Sequence, residues 1–164
     1  MLRRRRPPMF HRRRKLPSLL QIPPYEAAKA YEGSWAGQWT NTTFGSAGAV
    51  TVQITITEDG TATYTVDLGG MVFGVIDPPE MTYVGTFDAD GALFEAPGDP
   101  LFGDLTITIN AAGEIAVVGD LVPIAGIARL EAGGTVTPGT MELTYTVFFA
   151  GGGSAVGVMT LEKE

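Results

Sequence analysis

Few side chains in this chain of 164 residues can do chemistry. There is no cysteine, and the single histidine, His11, sits among arginines near the N-terminus. Thiolate nucleophiles and thiolate metal sites are therefore excluded by inventory, and so is an imidazole general base in the body of the chain. Carboxylates, tyrosines and one arginine remain. Between Ala30 and Glu162 sixteen carboxylates face a single basic residue, Arg129. Arg129 lies in the apolar run Gly126-Ile127-Ala128-Arg129-Leu130. A guanidinium placed there needs a carboxylate or an aromatic face, and Asp120 and Asp67, also flanked by apolar residues, are its candidate partners. Two roles stand for it: a paired or stacked arginine that closes the fold, or an anion-binding group.

Two further carboxylate arrangements invite a chemical reading. Asp99 and Asp104 flank one loop, and paired carboxylates can do acid and base work, as in glycoside hydrolysis, when their separation is right. Asp88-Ala89-Asp90-Gly91 looks like part of a calcium loop but lacks the third acidic position and the distant bidentate glutamate, so turn formation accounts for it. No catalytic set, metal site or cofactor is predicted.

The elements that must position these groups are strands. Glycine (22) and proline (11) are frequent, and no long window carries a 3.6-residue apolar period. Val50 to Thr57 alternates without a break, with valines and isoleucines on one face and threonine and glutamine on the other. The turn Glu58-Asp59-Gly60 leads back into Ala62 to Leu68, which makes a hairpin. Met71 to Ile76 reads as one short strand and Asp77 to Glu80 as a loop. Met81 to Phe87 with Ala92 to Glu95, and Leu105 to Ile109 with Ile115 to Leu121, read as further hairpins, with Ala96 to Pro100 a loop. Ile127 to Ala132, Met141 to Phe149 and Ala155 to Glu162 complete about ten strands. Phe44-Gly45, Phe73-Gly74 and Phe102-Gly103 recur every 29 residues, as expected of a meander that reuses one hairpin unit. Seven Thr-x-Thr doublets read as the solvent face of half-buried strands. The fold expected is all-β: one antiparallel up-and-down barrel of about eight to ten strands over residues 33–164, whose closure removes exposed edges.

Both tryptophans fall in the first of these strands, Gly33 to Ser46. Gly33-Ser34-Trp35, opening a meander after a short helical lead-in, resembles the G-x-W signature of the calycin superfamily, which includes lipocalins and fatty-acid-binding proteins. Gly37-Gln38-Trp39-Thr40-Asn41, with Ser46 following, is similar to the first strand of the avidin family. The first resemblance implies a ligand-binding barrel with an arginine packed across Trp35, for which Arg129 is the candidate. The second implies polar ligand contacts from Asn41 and Ser46. Avidin pockets are walled by later tryptophans, and this chain has none after Trp39, which argues against biotin.

Residues 1–32 form a basic, proline-punctuated arm, holding eight of the eleven lysines and arginines within its first fifteen positions. Such a segment cannot pack a core and is expected to be disordered, with a short helical turn from Tyr25 to Tyr31 after Pro24. An acidic domain repels nucleic acid, so no specific nucleic-acid partner is expected, while the arm suits an anionic surface or partner. As an export signal the arm has a charged start, but Leu16 to Ile22 is too short and interrupted, which leaves the location open. Three function classes follow. The leading one is a barrel that binds an apolar or amphipathic small molecule, lined by Trp35, Trp39, Asn41, Phe73, Tyr83, Phe102 and Arg129. The second is a solid-cored interaction module that docks through the arm. The third is a barrel enzyme of isomerase or cyclase type, using carboxylates, tyrosine and Arg129.

Overall fold

The computed structural model describes residues 24–164. The arginine tracts, His11 and any leader or docking role expected of them lie outside the described residues. The described chain begins with a short helix, α1 (Pro24–Lys29), and continues through twelve strands: β1 (Gly33–Asn41), β2 (Ala47–Ile56), β3 (Thr61–Leu68), β4 (Met71–Val72), β5 (Val75–Ile76), β6 (Met81–Phe87), β7 (Gly91–Asp99), β8 (Gly103–Asn110), β9 (Glu114–Asp120), β10 (Ile127–Val136), β11 (Thr140–Phe149) and β12 (Ser154–Lys163).

Ten of the strands close into a barrel in the order β1-β12-β11-β10-β9-β8-β7-β6-β3-β2. Every neighbouring pair is antiparallel, and the seam is the β1–β12 ladder from Trp35↔Lys163 to Asn41↔Gly157. Hairpin connections alternate between the two ends. One end, the mouth, carries the loops after β1, β3, β7, β9 and β11. The other, the floor, carries those after β2, β6, β8 and β10 together with α1. Side-chain alternation then sorts the strands. In β2, for example, Val50, Val52 and Ile56 are buried while Thr51, Gln53 and Thr55 are exposed.

Two departures from the sequence reading have local causes. Met71 to Ile76 is not one strand but a miniature hairpin, β4–β5, pairing Val72 with Val75. Its two central residues, Phe73 and Gly74, both adopt positive φ (50° and 80°), the geometry of a tight hairpin turn. The stretch Ala96 to Pro100 is not all loop, because β7 runs on to Asp99. Its register with β8 shifts between Ala96 and Asp99, and Pro97, which has no N–H to give a ladder, sits in that irregularity.

The floor is sealed by the lead-in to β1. Tyr25, Ala28 and Tyr31 pack on the core. The Trp35 indole N–H donates to the Tyr31 carbonyl at 3.1 Å, Lys163 Nζ to the Ala30 carbonyl at 2.9 Å, and the Ile56 amide to Glu32 Oε2 at 3.1 Å. Trp35, 1% exposed, is the anchor of this end.

Candidate functional site

Above that anchor the barrel is hollow. A cavity of about 510 Å³ opens at the mouth, within the roughly 300–1,000 Å³ range of ligand sites. Its walls carry no charged side chain among the described residues, and aromatic rings dominate the entrance: Phe44, Phe73, Phe102 and Phe149, with Trp39 and Tyr145 below them. The Phe-Gly repeat explains three of these rings. An interval of 29 residues is one up-and-down excursion of the chain, so each copy returns to the mouth. Each glycine of the repeat takes positive φ (Gly45 76°, Gly74 80°, Gly103 75°) and turns the chain just after its phenylalanine. Phe73 and Phe102 meet edge to face at 5.9 Å, and Phe44 leans on Phe149 at 6.2 Å.

Phe102 is held by a buried carboxylate. Asp99, 8% exposed, accepts from the amides of Leu101 (2.9 Å) and Phe102 (2.7 Å) through Oδ1, and from the Tyr83 hydroxyl (2.9 Å) through Oδ2. The first two bonds shape the β7–β8 turn, and the third ties it to β6. Asp104 accepts from the Gly98 amide at 2.8 Å. Both carboxylates of the suggested acid/base pair are thus engaged in turn structure. The Asp88–Gly91 segment is likewise a turn, with the Asp90 amide donating to Asp88 Oδ1 at 2.8 Å. Among the described residues no group of three or more His, Cys, Asp or Glu side chains converges as a metal site would require.

Trp39, Tyr145 and Phe94 share a device. Each lies across a glycine directly opposite on the neighbouring strand: Trp39 over Gly48, Tyr145 over Gly157, Phe94 over Gly85. A methyl group added at any of the three glycines would overlap the ring and a backbone carbonyl. The missing side chains let the rings lie against the wall and leave the lumen open. The Trp39 indole N–H also donates to the Gly69 carbonyl at 2.9 Å, which fixes the start of the segment carrying β4–β5 over the mouth.

The cavity's polar groups are few and uncharged. Tyr64 and Tyr145 line it, and neither hydroxyl has a protein hydrogen-bond partner among the described residues. Asn41 uses Oδ1 to accept from the amides of Thr43 (3.0 Å) and Phe44 (2.9 Å), shaping the β1–β2 loop and leaving its Nδ2 unused; Ser46 stands exposed beside it. Tyr64 is only partly buried by area because it borders the lumen, yet its surroundings are apolar, and desolvation pushes its pKa up to about 12. Tyr83 is also raised, first by burial and then by the Asp99 carboxylate that its hydroxyl hydrogen-bonds; burial raises Tyr145. The folded chain thus keeps protons that the unfolded chain releases above pH ~10. Stability from these tyrosines is fully present below that pH and falls as pH rises through 10 to 12. The expected loss is about 1.4 kcal/mol per pH unit for each of Tyr64 and Tyr83. Urea unfolding between pH 9 and 12 measures it, and Tyr64→Phe should remove about one residue's share of the slope.

The structure brings together five of the seven residues expected to form the site: Trp39, Asn41, Phe73, Tyr83 and Phe102 all border the mouth cavity. Trp35 does not, since it is sealed in the floor. Arg129 does not either. It lies on the outer surface, where Nη1 meets Asp120 at 2.7 Å and Nε meets Glu131 at 2.8 Å, with its side chain 40% exposed. Asp120 is thus its partner, while Asp67 stands exposed opposite Thr51. A bulge between Ile127 and Arg129 puts Ile127 inside and Arg129 outside, although they are two residues apart. Such an exposed pair contributes about 0–1 kcal/mol. The basic residue opposite Trp35 is Lys163, on the closing strand. The residues missed, Tyr64 and Tyr145, had a signal: each is the middle of a Thr-Tyr-Thr triplet, and outward threonines force the tyrosine inward.

A second cavity, of about 330 Å³, lies toward the floor, walled by Ile54, Ile56, Phe94, Ile109 and Ile115 and capped by Ala28 and Tyr31.

No family model matches this sequence, and no curated protein matches it. Among solved structures the chain is similar to a protein of unknown function of the DUF3598 family from Nostoc punctiforme. That match has 13% identity and a TM-score of 0.57, over 87% of this chain and 51% of the other. The likeness is one of fold. The chain spans about half the length of that relative. Weaker likenesses are to Rv2717c from M. tuberculosis (14% identity, TM-score 0.47, 85% of this chain and 96% of that one) and to EF1p2_mFAP2b bound to DFHBI (13%, 0.46, 84% and 96%).

Proposed function

We propose that the protein is a calycin-like binding barrel that takes a predominantly apolar small molecule into the mouth cavity. The carrying observation is the cavity itself: about 510 Å³ of open, uncharged, aromatic-rimmed space inside a ten-strand barrel, wider than barrels of about eight strands, whose interior side chains can just fill. A solid-cored module would have little use for three glycines that hold rings back against the wall. Trp39, Phe73 and Phe102 supply contact area, and Tyr64, Tyr145 and the Asn41 amide orient a polar atom of the ligand. No catalytic step is assigned; Asp99 and Asp104, the suggested acid/base pair, are committed to turns.

Titration with N-phenyl-1-naphthylamine, a neutral apolar fluorophore that accepts energy from tryptophan, tests this reading. The expected result is saturable, blue-shifted probe emission excited through tryptophan, at a stoichiometry of one. Probe emission that stays at its aqueous wavelength and intensity at all protein concentrations would refute it.

A further inference from the structure

The mouth and floor cavities share part of their lining. Tyr64, Ile107, Val117 and Leu143, from β3, β8, β9 and β11, line both, so the two spaces meet across a waist of four side chains. Two apolar chambers with only that waist between them suit a flexible chain better than a rigid fused-ring body. The charge pattern narrows the class further. Among the described residues neither chamber is lined by a lysine, arginine or histidine, and Arg129 faces outward. The one charged group at either chamber is Asp88, beside Asn110 at the floor rim. An ionised carboxylate or phosphate inside would lose its hydration without gaining a counter-ion. An uncharged hydroxyl or ester could instead bond the Tyr64 and Tyr145 hydroxyls, which have no protein partner among the described residues.

We propose that the two chambers form one site for an uncharged, single-chain aliphatic amphiphile, a long-chain alcohol or its neutral ester, with its head at the mouth and its tail passing the Tyr64 waist into the floor chamber. The proposal rests on the mouth cavity taking an apolar ligand at all.

Displacement of bound N-phenyl-1-naphthylamine by 1-alkanols of eight to fourteen carbons, and by the matching ionised fatty acids at pH 8, tests it. Potency of the alcohols is expected to rise roughly three- to fourfold per added methylene, with carboxylates at least about tenfold weaker. Ala62→Phe and Ala92→Phe, both in the floor chamber and neither lining the mouth, should flatten the chain-length dependence while leaving octanol and probe binding in place. Cooperative unfolding shows that each variant folds. Equal potency across chain lengths, carboxylates as potent as alcohols, or a slope unchanged in both folded variants would overturn the proposal. If the probe binds and the slope is flat, only this inference falls; if neither probe nor alkanol binds, the binding-barrel reading falls with it.

Discussion

Replacing Asp99 with alanine is expected to destabilise the barrel by about 3 kcal/mol or more and to loosen the Phe102 side of the mouth. Asp99 is the one buried charged residue among those described, and its three partners are two turn amides and the Tyr83 hydroxyl, all of which lose their acceptor together. Each group left unsatisfied in a buried setting costs about 1–3 kcal/mol. Asp99→Asn should be milder, because its carbonyl still serves the turn amides and its NH₂ can donate to the Tyr83 oxygen. Urea unfolding of the two variants measures the difference. An alanine variant within about 1 kcal/mol of the parent would mean that the turn is held by other contacts.

Gly48→Val should be comparably severe, at about 3 kcal/mol, and it acts on the site itself. A side chain at position 48 would strike the Gly69 carbonyl and come within 2.5 Å of the Trp39 indole nitrogen, the two partners of the bond that anchors Trp39. The ring must swing toward the lumen or the Gly69 segment must lift away. A shifted tryptophan emission maximum together with lowered stability is the expected signature. Gly133→Ala is the control, since the nearest atom it would meet is the Ile115 carbonyl at 3.7 Å, and it should lie within about 0.5 kcal/mol of the parent. Equal effects at the two positions would show that strand propensity, not the Trp39 contact, sets the penalty.

Much of the fold was written in local pattern. The alternation from Val50 to Thr57 states which side chains face in, and the Phe-Gly interval reports the length of one up-and-down excursion, so a meander and the clustering of Phe44, Phe73 and Phe102 both follow from spacing. What escaped depends on register and on size across strands. In an unbroken strand Ile127 and Arg129 share a face, which makes Arg129 an interior candidate, and one bulge reverses that. Lys163 became the residue opposite Trp35 because the β1–β12 ladder closes there, a pairing between chain ends that no local window contains. The Met71–Ile76 run folded back on itself because Phe73 accepts positive φ beside Gly74, which a bulky aromatic seldom does. The lumen was hidden for a similar reason. Whether a barrel is filled depends on which glycine lies opposite which ring, as with Gly48 and Trp39 or Gly157 and Tyr145.

The two tryptophans offer the most direct test of the central claim, that the mouth cavity is where an apolar ligand sits. Trp39 borders that cavity and Trp35 is sealed in the floor. Bromobenzene, an apolar quencher that acts on tryptophan only at short range, should strongly quench the emission of Trp35→Phe, where Trp39 is the emitter, and leave that of Trp39→Phe, where Trp35 is the emitter, nearly unchanged. Quenching of Trp35 with Trp39 left untouched would place the apolar ligand elsewhere and contradict the account.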